Sequence, residues 1–284
     1  MQRNIKGLRI LITGASQGIG RALALEAAAQ GAKVLAAARS RDLLDELARE
    51  AAERKHPIEI VVADVTSASD REKMAAAAQS QLGGLDVLIN NAGIGATGHF
   101  ADVSPERLRR IFEVNLFGTT ETTRALLPLL RQGKTPAILN ISSIAARRGI
   151  PARSEYSASK FAVQGFSEAL RAELASEGID VLLVNPGLTQ TNFSKNMLEQ
   201  KAKIQMDHLR GMTPQQVAVL TLKALAAGRR EVTLTFQGKL LVFVSKFLPW
   251  FAEWVIARKM RRAFRDEMQA RKQQKQQPTA LVRS

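Results

Sequence analysis

The sequence predicts an α/β protein in which a doubly wound parallel sheet of about seven strands carries helices on both faces. Short apolar runs alternate with segments of helical length over residues 1–235 of the 284-residue chain. The first apolar run leads into a glycine-rich turn, and polar residues close several of the later runs. Strands joined by helices run parallel with right-handed crossovers, so we expect these turns to meet at one edge of the sheet.

The predicted strands are apolar runs of ordinary strand length. They span residues 8–12, 34–38, 58–62, 85–89, 136–141, 179–184 and 231–236. Helices are expected over 21–30, 41–54, 68–81, 105–130 and 213–227, and a further helix carries Tyr156 and ends near residue 176. Ser104 before Pro105, and Thr213 before Pro214, have the features of helix N-caps.

The bulk composition allows a large buried core and excludes several kinds of site. The chain is 45% hydrophobic and contains no cysteine, which excludes disulfides and thiolate metal sites. Its three histidines, His56, His99 and His208, are scattered, so we expect no metal. We find no signal-peptide pattern and no apolar run of the roughly 18–20 residues that span a bilayer, and we expect a cytoplasmic protein. The formal net charge of +15 indicates an anionic partner: nucleic acid, an acidic membrane surface or a phosphorylated ligand.

A phosphate-binding turn is predicted directly after the first strand. The segment from Thr13 to Gly20 has the spacing Gly-x-x-x-Gly-x-Gly and leads into an alanine-rich helix. Glycines let the backbone approach a pyrophosphate, and a helix N-terminus offers free N–H groups and a positive dipole end. An isolated glycine run could be only a tight turn, but the flanking strand and helix favour nucleotide binding. The expected contacts are Gly14, Ser16, Gln17, Gly18, Ile19 and Gly20.

The end of the second strand bears on the choice of coenzyme. In a dinucleotide-binding fold this point meets the adenosine ribose, where an acid suits NAD and an arginine suits the 2′-phosphate of NADP. Arg39 and Arg41 stand there, and no acid does. We predict NADP(H), with Arg39 as the main contact and Ser16 or Arg41 assisting; the alternative is that both arginines are solvated charges at a helix start. Asp64, after the third strand, could bind the adenine amino group or cap a helix.

The stretch from Ser154 to Lys160 contains the only tyrosine of the chain and a lysine four residues later. On a helix, Tyr156 and Lys160 share a face about one turn apart. A phenol has a pKa of roughly 10, and a neighbouring ammonium favours its ionised form. Alone, the pair could be an ordinary surface Tyr and Lys. Because Ser143 closes another predicted strand, we expect it to lie at the same sheet edge as Tyr156 and Lys160, which would handle a proton there.

Asparagines are also expected near this edge of the sheet. Asn90 and Asn91 close the fourth strand, where they can join neighbouring strand ends, and Ala92 and Gly93 leave room for a ligand beside the backbone. Asn115 lies among apolar neighbours in a helical stretch, so it must be hydrogen-bonded. It could be a structural hydrogen-bonder or part of a water relay.

Together these motifs resemble the short-chain dehydrogenase/reductase family over about residues 7–236. The matching elements follow the order of that family: Thr13-Gly14-x-x-x-Gly18-Ile19-Gly20, Asp64, Asn90-Asn91-Ala92-Gly93, Asn115, Ser143, Tyr156-x-x-x-Lys160 and Pro186-Gly187 with Thr191. The resemblance implies a Rossmann-type fold and a catalytic set of Asn115, Ser143, Tyr156 and Lys160. One departure is Gln17, where relatives that use NADP often carry a basic residue.

The resemblance also implies the roles of these residues. Ser143 would bind the substrate oxygen, Tyr156 would exchange a proton with it, and Asn115 would support a water chain. Lys160 would hold the nicotinamide ribose, with Thr189 and Thr191 at the carboxamide. The NADP(H) contacts expected in full are Gly14, Ser16, Gln17, Gly18, Ile19, Gly20, Arg39, Asp64, Val65, Asn91, Ala92, Gly93, Tyr156, Lys160, Pro186, Gly187, Thr189 and Thr191. Relatives commonly form homodimers or homotetramers.

The predicted function is therefore an NADP(H)-dependent interconversion of a carbonyl and an alcohol by hydride transfer, with Tyr156 as acid and base. Residues 192–212 have the composition of a flap over the site, with Met197, Leu198 and Met206 as candidate contacts to an apolar or lipid-like substrate. Two alternatives are a non-catalytic NADP-binding sensor or scaffold, and a basic nucleic-acid-binding protein. The complete Asn-Ser-Tyr-Lys set argues against the first, and the lack of a reading motif argues against the second.

The C-terminal part of the chain differs from residues 1–235, the predicted dinucleotide-binding catalytic domain. Residues 236–284 contain eleven Lys and Arg against three acids, and both tryptophans. We expect an apolar and basic helical extension over 236–268 and a disordered tail over 269–284. Residues 239–265 could bind a membrane peripherally at its inner face, or pack on the body or on a second subunit. Nucleic acid is the less favoured partner of this basic segment.

Overall fold

The described part of the chain contains a seven-stranded parallel sheet, which confirms the predicted fold class. The computed structural model describes residues 1–191, 193, 197–201 and 211–265. The strands are β1 Arg9–Thr13, β2 Lys33–Ala38, β3 Glu59–Val62, β4 Val87–Asn90, β5 Ala137–Ile141, β6 Asp180–Asn185 and β7 Glu231–Thr233. Their order is β3-β2-β1-β4-β5-β6-β7, so the direction of winding reverses between β1 and β4. All neighbouring strands are parallel.

Helices cover both faces of the sheet. They are α1 Gly18–Ala29, α2 Arg41–Glu53, α3 Ala68–Ala77, α4 Pro105–Phe112, α5 Gly118–Leu130, α6 Ser154–Glu173, α7 Pro214–Ala226, α8 Phe236–Phe247 and α9 Pro249–Ala263. The two expected N-caps are present. The Ser104 hydroxyl accepts the N–H of Arg107 at 3.2 Å, and Thr213 forms a reciprocal capping box with Gln216.

The core is divided by the sheet because successive strand residues point to opposite faces. Ile10 and Ile12 of β1 join one apolar cluster, which includes residues of α1, α2 and α7. Leu11 joins the other cluster, which includes residues of α3, α5 and α6. Burial on both faces explains why the central strands appear in the sequence as continuous apolar runs.

Two predicted boundaries are wrong, and one predicted helical stretch contains a π-helical segment. Helix α1 begins at Gly18 rather than Arg21, so two glycines of the turn lie inside the helix. The predicted helix over 105–130 is interrupted by a π-helical segment, Glu113–Phe117. The last strand ends at Thr233, because the Thr235 hydroxyl accepts the N–H of Gly238 and starts α8 at Phe236.

The chain divides into two compact units, Met1–Lys239 and a second that begins at Leu240. In the second unit, α8 continues to Phe247 and α9 follows. No helix within the described residues is long and apolar enough to cross a bilayer. The predicted disordered tail, 269–284, lies outside the described residues.

Candidate functional site

A cavity of about 380 Å³ opens at the carboxyl ends of the strands, around the reversal between β1 and β4. Ligands of doubly wound sheets bind at this point. Most residues predicted from the sequence line this cavity: Gly14, Ser16, Gln17, Gly18, Ile19, Arg39, Asp64, Val65, Asn91, Ala92, Gly93, Ser143, Tyr156, Lys160, Pro186, Gly187, Thr189 and Thr191. Gly20, Arg41 and Asn115 do not line it.

The glycine turn between β1 and α1 is held against the end of β4. Gly14 has a φ of +64°, and a Cβ there would lie 2.8 Å from the Cα of Ala92. The side-chain amide of Asn91 donates to the carbonyl oxygens of Thr13 and Gly14, at 3.0 and 3.1 Å. A Cβ on Gly20 would collide with the carbonyl oxygen of Gly14, so Gly20 supports the turn from outside the cavity. A glycine-containing turn directly before the N-terminus of α1 fits a pyrophosphate.

Arg39 and Asp64 lie together at a more exposed part of the cavity. The Arg39 side chain is 63% exposed, and its Nη1 is 3.8 Å from Oδ2 of Asp64. Oδ1 of Asp64 accepts hydrogen bonds from the N–H and the hydroxyl of Thr66, at 2.9 and 2.8 Å. Helix α3 is capped instead by Ser67, whose hydroxyl accepts the N–H of Asp70. The alternative role of Asp64 as the helix cap is therefore wrong.

Ser143, Tyr156 and Lys160 converge in another part of the cavity. Tyr156 and Lys160 lie one turn apart on α6, and Nζ of Lys160 is 5.8 Å from the centre of the Tyr156 ring. Ser143 follows β5, and its side chain lies close enough to the Tyr156 phenol to oppose the rise in the pKa of that group. Lys160 is only 5% exposed, and its Nζ donates to the carbonyl oxygen of Ile141 at 3.0 Å. The three side chains are thus fixed by β5 and α6.

Burial changes the pKa of both titratable groups. It lowers the pKa of Lys160 to about 8. Burial also raises the pKa of Tyr156, against the opposing effects of the Ser143 hydrogen bond and the positive charge of Arg153. The net lowering of the Tyr156 pKa that the Tyr-Lys spacing predicts is therefore wrong. A phenol with a raised pKa keeps its proton at neutral pH, which suits a proton donor.

Asn115 lies in the π-helical segment and is 1% exposed. Its Oδ1 accepts the N–H of Ile94 at 2.8 Å, and its Nδ2 donates to the carbonyl oxygen of Ile94 and to the hydroxyl of Ser159, at 3.0 and 2.9 Å. These bonds tie α6 to the segment after β4. π-Helical segments often occur at functional sites, but nothing in the sequence around Asn115 signals this one.

A buried ion pair supports the start of α6. Arg107 of α4 and Glu155, next to Tyr156, have side chains that are each 2% exposed, and the Arg107 Nη2 to Glu155 Oε1 distance is 2.6 Å. Nη1 of Arg107 also lies 3.0 Å from Oε2 of Glu199. This cluster joins α4, α6 and the segment near Glu199. Sequence reasoning missed it, because Arg and Glu in helices usually indicate solvated positions.

The predicted flap is described only in part. Residues 197–201 and 211–212 are described, and Thr97 and Thr189 form bridges to Gln200 and Met212. Met197 is half-buried and Leu198 is 44% exposed. Met206 lies outside the described residues. The aromatic ring of Phe193 lies 5.8 Å from the Tyr156 ring, a contact that the sequence did not indicate.

Arg153 is the other missed residue of the cavity. It stands immediately before α6, lines the cavity and is only 7% exposed. Its position three residues before Tyr156 is visible in the sequence, but its burial is not. Among the described residues, no group of three or more His, Asp or Glu side chains is placed to hold a metal ion.

The fold and the residues that line the cavity define a nucleotide-binding α/β protein of the Rossmann type. A family model described as short chain dehydrogenase matches residues 9–202. The chain therefore belongs to the short-chain dehydrogenase/reductase family, a family of oxidoreductases. Membership of this family does not favour the alternative of a non-catalytic sensor or scaffold.

Individual relatives agree with this assignment. The chain is 35% identical over 252 residues to the "Uncharacterized oxidoreductase YxnA" of Bacillus subtilis, covering 87% of this chain and 70% of the relative. A short-chain dehydrogenase/reductase of Burkholderia phymatum in complex with NAD aligns with a TM-score of 0.78 at 26% identity, covering 86% and 94% of the two chains. A short-chain dehydrogenase of Burkholderia cenocepacia in complex with NADP aligns with a TM-score of 0.77 at 28% identity, covering 89% and 99%.

Proposed function

We propose that the protein is an NADP(H)-dependent oxidoreductase that interconverts a carbonyl group and an alcohol on a small, mainly apolar molecule. The observation that carries this proposal is the convergence of Ser143, Tyr156 and Lys160 in the cavity that also contains the glycine turn and Arg39. The volume of about 380 Å³ falls in the range of small-molecule sites.

The residues of this cavity fit a nicotinamide coenzyme, and structural neighbours are described in complex with NAD or NADP. When bound, the coenzyme supplies or accepts the hydride. The turn at Gly14 and the N-terminus of α1 would hold its pyrophosphate, and Asp64 its adenine. Lys160 would hold the nicotinamide ribose, and Thr189 and Thr191 the carboxamide.

The choice of NADP over NAD rests on Arg39. Its guanidinium is exposed beside the cavity, where it can meet a 2′-phosphate without the cost of burying a charge. Gln17 stands where relatives that use NADP often have a basic residue, so Arg39 would carry most of this preference. Arg41 lies outside the cavity lining, and its assisting role is not part of the proposal.

The proton chemistry follows from the pKa directions. In reduction, the Ser143 hydroxyl would bind the substrate oxygen while Tyr156, whose phenol is protonated at neutral pH, donates that proton to the oxygen. In oxidation the same phenol would accept the proton. Asn115, fixed between Ile94 and Ser159, would support the water chain that restores it.

An apolar substrate is supported by the walls of the cavity near Tyr156. Ile94, Ile144, Ile150, Leu188 and Phe193 line it there together with the catalytic residues. Apolar walls bind a substrate by burying its surface and leave few polar groups to fix its orientation.

The test is a screen of NADPH and NADH oxidation with aldehydes and ketones of increasing chain length. The proposal predicts turnover of apolar carbonyl compounds with a preference for NADPH. A clear preference for NADH would contradict the role of Arg39. Absence of turnover by a protein that binds NADPH would contradict the enzymatic function.

We also propose that the second compact unit binds an anionic membrane surface. On α8, Leu240, Phe243 and Phe247 share a face, and each is more than half exposed. On α9, the exposed Trp254 ring lies 6.1 Å from Phe251.

Positive charge accompanies these aromatic side chains. Over residues 240–265 one acid, Glu253, stands against six basic residues: Lys246, Arg258, Lys259, Arg261, Arg262 and Arg265. The Arg258 guanidinium lies 5.5 Å from the centre of the Trp254 ring. Exposed aromatic and aliphatic side chains beside cations suit the headgroup region of an acidic bilayer. The protein would then lie peripherally on the cytoplasmic face of the membrane.

Flotation with vesicles of phosphatidylcholine, with and without phosphatidylglycerol, tests this surface. The full chain should float only with the anionic vesicles, and the variant Phe243→Ser/Trp250→Ser/Trp254→Ser should not, since its exposed changes leave the core intact. Equal flotation of both proteins would refute the membrane surface. A smaller assembly of the variant in size-exclusion chromatography would instead assign these residues to a subunit interface.

A homodimer or homotetramer is proposed from the family resemblance. The exposed Phe117 and, on α6, Phe161 support it, since their side chains are 49% and 45% exposed. Light scattering of the purified protein measures this assembly directly.

A further inference from the structure

Arg153 is a buried cation in the cavity that also contains Ser143, Tyr156 and Lys160. Only 7% of it is exposed, and its Nε has no hydrogen-bond partner. The other buried arginines of the described chain are Arg3, which pairs with Asp180, and Arg107, which pairs with Glu155. Among the described residues, no carboxylate pairs with Arg153, so its position needs another explanation.

An unpaired buried guanidinium destabilises a fold. Burial lowers the pKa of Arg153, and among the described residues the titratable Tyr156 phenol opposes this shift. Removing a charge from water without a compensating partner costs free energy. Such a cost persists in proteins where binding or catalysis needs the group.

The surroundings of Arg153 favour an anion. A guanidinium can hold a carboxylate or a phosphate through two parallel hydrogen bonds. Arg153 directly precedes α6, whose 20 residues direct a positive dipole end toward the same place. Ile150, Leu188 and Phe193 also line the cavity, and apolar walls strengthen an ionic contact by excluding water.

We propose that Arg153 binds an acidic group, a carboxylate or a phosphate, on the molecule whose carbonyl oxygen Tyr156 protonates. This inference rests on the proposed function and narrows its substrate class. The substrate would be an acidic carbonyl compound whose remaining surface is apolar. Arg153 would orient the carbonyl toward Ser143 and Tyr156, and would select against neutral analogues.

Matched pairs of substrates test this assignment. NADPH oxidation is measured with 3-, 4- and 5-oxo acids and their methyl esters, and with a hydroxyketone and its phosphate monoester. The wild-type protein should favour the acidic member of the best pair by roughly 10- to 100-fold in kcat/KM, which is the value of a charged hydrogen-bonded contact. The acid type that gives the higher kcat/KM identifies the group that Arg153 binds as a carboxylate or a phosphate.

The variant Arg153→Met should lose this preference, because its kcat/KM should fall by roughly 10- to 100-fold more for the acidic member than for the neutral member. Its thermal unfolding midpoint should equal or exceed that of the wild type, because an unpaired buried charge has been removed. Arg148→Met is the matched control: Arg148 is half-buried in the same segment but does not line the cavity, and this variant should keep the preference.

Three results would overturn the assignment. The first is equal use of acid and neutral members by the wild type. The second is a preference that survives in Arg153→Met. The third is weaker NADPH binding by Arg153→Met together with an equal loss for both members, which would assign Arg153 to a coenzyme phosphate.

A wild-type protein that reduces none of these compounds would refute the proposed function rather than this contact. In that case, the contact is tested by the thermal unfolding midpoint of the NADP⁺-loaded protein, measured with and without the oxo acids. A shift present in the wild type and absent in Arg153→Met supports an acid site. No shift in either protein rejects it.

Discussion

The two ends of the cavity differ in burial, and under the proposed function the buried end would carry the chemistry while the exposed end would select the coenzyme. Around Tyr156, the cations Lys160 and Arg153 are 5% and 7% exposed. At the other end, the Arg39 side chain is 63% exposed and only 3.8 Å from a carboxylate. Burial moves pKa values and makes each contact strong, whereas an exposed arginine can bind a phosphate at little cost to the fold.

This comparison shows where the molecule carries destabilising groups. Lys160 is held with a lowered pKa, and Arg153 has no partner among the described residues. Substitutions at the buried end should therefore change turnover and stability together, often in opposite directions. Substitutions at the exposed end should change coenzyme affinity alone.

The largest effect is expected at Tyr156. Tyr156→Phe removes the proton donor and keeps the ring that lies beside Phe193, so we expect turnover to fall by about 1,000-fold or more with an unchanged fold. Steady-state kinetics and circular dichroism check this. Near wild-type turnover would show that another group moves the proton.

The buried Arg107–Glu155 pair should be the next most sensitive feature. Arg107→Met leaves the Glu155 carboxylate without its partner and should cost about 3–5 kcal/mol of the free energy of unfolding. Urea denaturation measures the loss.

Two control proteins make this test specific. The double variant Arg107→Met/Glu155→Leu should recover most of the stability, because neither charge remains buried. Arg109→Met, on the same helix with a 77% exposed side chain, should change little. If Arg107→Met is as stable as Arg109→Met, the result would contradict the proposal that the ion pair supports the start of α6.

Lys160→Met should lower turnover yet raise stability at neutral pH. The folded-state pKa of about 8 lies below the ordinary value of 10.5, so the charged form is disfavoured in the fold. That cost is present in full below pH 8 and disappears as the pH rises through 10.5. Removing the charge should add up to about 3 kcal/mol at pH 7 and less at pH 10.

Urea denaturation at the two pH values checks this change, with the exposed Lys223→Met as the control. Wild-type carbonyl reduction should also decline above about pH 8, where Lys160 loses its charge. A stability difference that does not depend on pH would contradict the lowered pKa.

The smallest effect is expected at the exposed end. Arg39→Ala should weaken NADPH binding by about tenfold and leave NADH binding and the turnover number unchanged, because one charged contact is lost. Fluorescence titration with both coenzymes checks it. Equal weakening of NADPH and NADH would place Arg39 away from the 2′-phosphate.

The difference in burial between the two ends also explains which features the sequence could predict. The sheet follows from apolar runs buried on both faces, and the cavity follows from turns at the strand ends. The proximity of Tyr156 and Lys160 follows from their four-residue spacing on one helix. Arg153 and the Arg107–Glu155 pair could not be predicted, because an arginine in a sequence does not show whether tertiary packing has buried it.

The direction of the Tyr156 pKa shift was missed for a related reason. Sequence spacing places Lys160 one turn away, but only the packed structure shows that Tyr156 is buried and that burial outweighs the effects of Ser143 and Arg153 on its pKa. The π-helical segment around Asn115 is likewise set by hydrogen bonds to Ile94 and Ser159, which are distant in sequence.

The most direct test of the division between the two ends is a fluorescence titration of NADPH into Tyr156→Phe. If Tyr156 moves a proton and the rest of the cavity holds the coenzyme, the inactive variant should bind NADPH within about threefold of the wild-type dissociation constant. A dissociation constant weakened tenfold or more, with turnover lost to the same extent, would contradict this account. Tyr156 would then serve to bind the coenzyme rather than to transfer the proton.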